Sequence, residues 1–186
     1  MTAENWGALT LVLLGFALLC ALAAWATAAR RIWGPGALLL LGAAAVVAAA
    51  PDDVTLDGSA AVTLLMALGG AVAVAGGGPL TALVFDLVDR REPPGESMER
   101  AGHVLRGGAW IGALERLATF ATLVAGWPEG LAVVLALKGL GRYPELRAAE
   151  DGVRTGAAER FIIGTFTSVL WACAAAGVVA LVATGP

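Results

Sequence analysis

Long uncharged apolar runs alternate along this chain with short polar stretches, and the alternation predicts a series of helices. The first run, Trp6–Ala29, closes on "RRIWG", where Arg30, Arg31 and Trp33 read as an interfacial anchor. A second extends from about Pro35 to Ala50 and stops at "PDDVTLD". The third starts near Gly58 and reaches "AGGGP" at 75–79, where three glycines and Pro79 should end or kink it. "LTALVFDLVDRR" then reads as a helical extension or an interfacial segment, and "DRREPPGESMERAGHVLR" as a loop. A fourth run, Gly107–Trp127, turns at "WPEG" into a fifth that begins near Gly130. The fifth is short and charged, because its apolar part ends at Leu137 and a crossing would carry Lys138 and Arg142 into the membrane. A sixth run, Phe161–Thr184, closes the chain.

Composition fixes the solvent. Of 186 residues 59% are hydrophobic and 15% charged, against about 45–50% and about 25% in soluble domains. Backbone groups in lipid must satisfy one another, so spanning elements are helices or closed barrels, and these runs lack strand alternation. The fold class is therefore all-α: a polytopic helical bundle with about six transmembrane helices. Residues 1–90 form one membrane half with three helices, 91–106 a cytoplasmic loop, and 107–186 a second half carrying the intramembrane charges. Positive residues cluster on alternate junctions (Arg30, Arg31, Arg90, Arg91, Arg100, Arg106, Arg147, Arg154 and Arg160), while the opposite junctions carry Asp52, Asp53, Asp57 and Glu129. The positive-inside rule then places both termini outside. "MTAENW" lacks the basic start of a cleaved signal peptide and reads as the beginning of a retained span. Arginine dominates over the one lysine, Lys138, and Ala and Gly abound, which fits a multi-pass protein of a bacterial plasma (inner) membrane.

Candidate chemistry lies in the second half. On a helix over 107–127, Gly108, Gly112, Glu115, Thr119, Thr122 and Gly126 share one small and polar face, with Arg116 about 100° away on its flank. Such a face lets a neighbouring backbone approach closely. Lys138 and Arg142 are one turn apart on the fifth run. Thr165, Ser168, Ala172 and Ala175 make a second small face on the sixth, headed by Glu159. Charges retained in lipid need partners or water, so Glu115, Arg116, Lys138, Arg142 and Glu159 are expected to form one cluster. The candidate pairs are Glu115 with Lys138 or Arg142, and Arg116 with Glu159 or a bound anion.

The string "GAWIGALERLATFATLVAGWPEGLAVVLALKGLGRYPEL", followed by "AERFIIGTFTS", resembles the bacterial membrane family called domain of unknown function 3307 over roughly Gly107–Ala176. The matching positions are Ile111, Gly112, Glu115, Arg116, Lys138, Arg142, Ala158, Glu159, Gly164, Thr165 and Ser168. Leu137 stands where the family has Ala, and Arg160 where it has an aromatic. The resemblance implies that these charges belong together and implies no activity.

Other features point elsewhere only weakly. Asp86 and Asp89 have a spacing like the metal-binding aspartates of membrane CDP-alcohol transferases, but the accompanying Asp-Gly and Ala-Arg elements are missing, so a solvated helix end is expected. Cys20 and Cys173 read as small apolar residues, and His103 as a surface histidine. No metal site, cofactor, nucleophile motif or nucleic-acid surface is expected. The sequence favours a non-enzymatic scaffold or accessory subunit whose partners are membrane lipid, a second copy of the chain or other membrane subunits. Alternatives are a small ion-coupled transporter using the charge cluster, and an enzyme or binder acting on a phospholipid or polyprenyl-phosphate head group.

Overall fold

The computed structural model describes residues 2–26, 28–49, 54–89, 108–148 and 151–183. Among them are six helices: α1 (Ala3–Ala23), α2 (Arg30–Ala49), α3 (Ser59–Asp89), α4 (Gly108–Val124), α5 (Glu129–Ala148) and α6 (Asp151–Ala183). The protein is an all-helical membrane bundle, and α1, α2, α3 and α6 are long and apolar enough to cross a membrane. The other two of the expected six spans differ from these. α4 has 17 residues, about 25 Å at 1.5 Å per residue, short of a hydrocarbon core of ~30 Å. α5 has the length but holds Lys138 and Arg142 within it.

The boundaries move where side chains had not shown themselves in the apolar pattern. α1 stops at Ala23, and the expected anchor "RRIWG" is instead the opening of α2. α6 begins at Asp151, well before Phe161. α4 ends in a turn in which Trp127 N donates to Thr122 O (2.8 Å) and Gly126 N to Leu123 O (3.1 Å). This is a Schellman arrangement, and it needs the left-handed backbone that Gly126 adopts at φ 71°. The expected loop 91–106 and His103 lie outside the described residues.

At "AGGGP" the expected end of the helix does not occur, and of the two readings of "LTALVFDLVDRR" the helical extension is the one observed, as far as Asp89. α3 runs through the glycines and Pro79 as one helix. Three large side chains from three other parts of the chain lie against the glycines in turn. A Cβ on Gly76 would collide with the indole of Trp171 in α6, one on Gly77 with the side chain of Arg116 in α4, and one on Gly78 would sit 3.2 Å from Trp25 in the α1–α2 connection. Each visitor also donates to an α3 carbonyl: Trp171 Nε1 to Val72 O at 2.9 Å, Arg116 Nε to Val74 O at 3.0 Å, and Trp25 Nε1 to Ala75 O at 3.0 Å. Ala75 is four residues before Pro79, which has no N–H to give it. Trp25 supplies the donor that the proline lacks.

These contacts place α3 at the centre. Leu14, Ala17 and Ala21 of α1, Leu41 and Ala44 of α2, Leu65, Val72 and Ala73 of α3, Phe120 of α4, and Trp171, Ala175 and Val179 of α6 form one buried core. Residues 1–90 and 107–186 therefore share it. Gly69 and Gly164 of the two long helices lie against Val179 and Phe85 respectively, so α3 and α6 run antiparallel. The C-terminal end of α3 and the N-terminal ends of α2, α4 and α6 consequently meet at one end of the bundle, where Arg30 Nη2 bonds Asp86 Oδ2 at 3.0 Å. Asp86, in the last turn of α3, is thus held in an ion pair with α2 where a solvated helix end was expected.

Replacing Trp25 by Phe should cost about 1 kcal/mol, the worth of one hydrogen bond. In a Pro79→Ala background, where residue 79 can donate to Ala75 itself, the same replacement should cost close to nothing. Chemical unfolding in detergent across this double-mutant cycle checks the coupling; additive effects would refute it.

Candidate functional site

Arg116 is the most constrained side chain of the charged set. Long side chains on a helix lean toward its N-terminus, and that of Arg116 runs back over Gly112, where an added Cβ would stand 3.0 Å from Nη1. On its other side lies Gly77. Two glycines from two helices thus make the slot that the guanidinium occupies. Its Nε donates to Val74 O and its Nη1 to Ser168 Oγ at 3.2 Å, and only 4% of the residue is exposed. Arg116 therefore ties α4 to both α3 and α6.

The neighbouring residue turns to a different helix. Glu115 pairs with Lys138 Nζ, and the two side chains are 15% and 14% exposed respectively. The face of small and polar residues expected on α4 is accordingly divided. Gly112 and the fully buried Thr119 lie with Arg116 and Phe120, whereas Glu115 and Thr122 serve α5, with Thr122 packed against Gly130. Arg116, placed on the flank by the sequence, is the more buried of the two charges because α3 approaches on its side.

Beside these residues is a cavity of about 420 Å³. Its polar wall contains Glu115, Arg116, Lys138, Arg142, Arg160 and Ser168. The apolar part of its lining comprises Trp25, Ala82, Phe85, Ile111 and Phe161. Arg160 Cζ lies 4.8 Å from the centre of the Phe85 ring, which fixes that guanidinium at the wall by a cation–π contact.

The expected cluster is thus assembled in part. Glu115, Arg116, Lys138 and Arg142 meet at the cavity, and Ser168 and Gly112 support Arg116. Glu159 is exposed and does not line it. The Arg116–Glu159 pair does not form because Glu159 lies nine residues before Ser168 on α6, about 13 Å along the axis. Arg160 takes the place at the wall. Thr122 Oγ1 donates to Thr119 O at 3.0 Å within its own helix. Thr119 Oγ1 and Thr165 Oγ1 are buried and have no hydrogen-bond partner among the described residues. Gly108 opens α4. Trp25, Phe85, Arg160 and Phe161 were absent from the sequence-based set. The available signal was Pro79, which announces a carbonyl in need of a donor.

No known protein family, curated protein or solved structure matches this chain. Geometry alone therefore speaks for the site. Among the described residues no group of three or more His, Cys, Asp and Glu side chains could hold a metal ion, so the chemistry on offer is that of cations, one carboxylate and an apolar wall.

Arg116→Lys retains the charge but cannot donate in two directions from the same slot. It should lower stability by about 2–3 kcal/mol, while Ser168→Ala should cost about 1 kcal/mol. Urea titration in detergent measures both; an Arg116→Lys protein as stable as the parent would show that the two bonds do not hold the helices.

Proposed function

We propose that this protein binds the anionic head group of a membrane amphiphile in the cavity between α3, α4, α5 and α6. One observation carries the reading. Arg116 is a buried guanidinium at the cavity wall, and its hydrogen bonds go to two neutral acceptors, Val74 O and Ser168 Oγ. The adjacent carboxylate, Glu115, is itself engaged by Lys138. A cation withdrawn from water in this way calls for an anion beside it.

Depth supports the same reading. Counted at 1.5 Å per residue from Ser59, Val74 lies about 22 Å and Phe85 about 39 Å along α3. Against a hydrocarbon core of ~30 Å the cavity straddles the boundary where head groups lie. Its volume is within the usual range for small-molecule sites, about 300–1,000 Å³, and its apolar wall suits the first part of an acyl or prenyl tail. A charge network whose only task was to lock helices would need no such space, so head-group binding is preferred to a scaffold role.

Several further assignments belong to this proposal. The bundle sits in a bacterial plasma membrane with six crossings and both termini outside, α4 and α5 forming a thinner hairpin within it. The cavity then faces the cytoplasmic leaflet, the arginine-rich side. The elements that resemble domain of unknown function 3307 supply Glu115, Arg116, Lys138 and Arg142 to its wall.

Protein purified in mild detergent should retain phosphate-bearing lipid detectable by native mass spectrometry. Arg142→Gln, at the cavity wall, should reduce retention roughly tenfold, the equivalent of one charged hydrogen bond. Arg31→Gln, exposed and away from the cavity, should leave it unchanged. Equal retention by both variants, or none by the parent, would defeat the proposal.

A further inference from the structure

Helix α5 is attached to the bundle differently from the others. It packs chiefly on α4 and only lightly on α6. Among its described residues Gly130 alone is buried, whereas Val133, Leu137, Leu140 and Tyr143 are exposed along its length, and a side chain on Gly139 or Gly141 would meet nothing. Its first turn is seated tightly. A Cβ on Gly130 would collide with Thr122 and Trp127, and Gly130 N and Leu131 N donate to Trp127 O and Pro128 O at 3.1 Å each. Beyond that turn α5 is tied to α4 again through Lys138 and Glu115, about 12 Å further along the helix. Arg142, one turn later, is engaged as well.

An element with so little of its surface in the core opens more readily than the rest of a fold. The Glu115–Lys138 pair opposes that opening, and removing one partner of a pair withdrawn from water leaves the other charge uncompensated. A lysine left alone on a lipid-facing helix has an escape that a packed core does not offer: the helix swings, and the ammonium reaches the head-group region on its long stem. A swing of about 20° about Gly130, an ordinary tilt for a membrane helix, moves Leu140, about 15 Å along α5, by about 5 Å. Lys138 and Arg142 are what α5 contributes to the cavity wall. Such a swing withdraws both together and leaves Arg116 and Ser168 where α4 and α6 hold them.

We propose that α5 is a hinged arm latched against α4 by the Glu115–Lys138 ion pair, and that the cavity binds its ligand fully only while the arm is closed; what it binds rests on the head-group reading above. Glu115 is then a positioning residue, acting on the ligand through Lys138 and α5. The consequence runs against simple electrostatics. Neutralising Glu115 takes a negative charge from the cavity wall, which in a rigid site tightens the hold on an anion. With a latched arm the same change weakens it, because α5 departs.

The position of α5 is read by electron–electron distance measurements between nitroxide labels, on the full chain with Cys20 and Cys173 replaced by alanine, in phosphatidylcholine nanodiscs. Labels on Leu140→Cys in α5 and Leu39→Cys in α2 report the arm, and labels on Leu114→Cys in α4 and Leu39→Cys report whether the bundle is intact; all three positions are exposed. The α5–α2 distances should form one narrow distribution in the parent. Glu115→Gln and Lys138→Met should each add a second population displaced by about 5 Å, with the α4–α2 distances unchanged. In nanodiscs supplemented with phosphatidic acid, Glu115→Gln should retain roughly tenfold less of that lipid than the parent by native mass spectrometry. A parent-like distribution in both variants, or a broad one in the parent, would overturn the latch. A released arm with retention unchanged or raised would overturn its role at the site and leave head-group binding standing. A parent that retains no phosphatidic acid, with the second population present in the variants alone, would remove the head-group reading and leave the hinge. If Glu115→Gln does not fold, Lys138→Met reports the latch by itself, since it leaves no unpaired lysine on α5.

Discussion

Helices in lipid gain little from hiding apolar surface from one another, because the hydrocarbon they displace is equally apolar. What remains is close contact and hydrogen bonding. In this bundle both are concentrated on one turn of α3, where Gly76, Gly77 and Gly78 leave the backbone bare. Trp171, Arg116 and Trp25 each cover one glycine and reach one carbonyl, at Val72, Val74 and Ala75. The position of α6, of α4 and of the α1–α2 connection relative to α3 follows from these three contacts. Their loss would leave apolar helices free to slide.

The same constraint generates the cavity. Arg116 is drawn to the bare turn of α3, and the next residue back along α4 points about 100° away, so Glu115 meets α5 rather than α3. Lys138 is thereby held at the wall, with Arg142 one turn beyond it. Beside the same space, Arg160 of α6 stacks on Phe85 of α3. The residues that fasten the helices and those that line the space are thus partly the same. Locking the bundle and binding an anion are not alternatives for Arg116, since a guanidinium that reaches only neutral acceptors is positioned by the fold and still carries its charge.

Much of this was legible in the sequence, but unevenly. Apolar runs and their arginine-rich borders reveal helices in a membrane, because that requirement is written in every residue of a span. The meeting of Glu115, Arg116, Lys138 and Arg142 was legible too, since charges in apolar runs have few places to go. Helix ends at Ala23 and Asp151 were not, because nothing in an alanine-rich run marks where a chain will turn when a distant carbonyl captures its tryptophan. That the helix continues through "AGGGP" was not decided by the sequence for a related reason. Glycine and proline weaken an isolated helix, yet here three side chains from elsewhere replace what they remove. Glu159 was included as the charge heading the small face of the sixth run, and its distance from Ser168 along α6 keeps it out.

Spacing within "IGALER" has a physical basis that extends beyond this chain's own arrangement. An arginine on an α-helix projects over the residue one turn toward the N-terminus, so the residue four positions earlier decides whether its guanidinium can lie flat against the helix. At Gly112 a methyl group would stand 3.0 Å from Nη1. Any larger side chain would push Arg116 off its bonds to Val74 and Ser168, or push α3 away. Glutamate directly before the arginine is then the residue best placed to reach the next helix without competing for the same slot. Glycine, glutamate and arginine in that order allow one short helix to present a fixed cation to two neighbours and a carboxylate to a third.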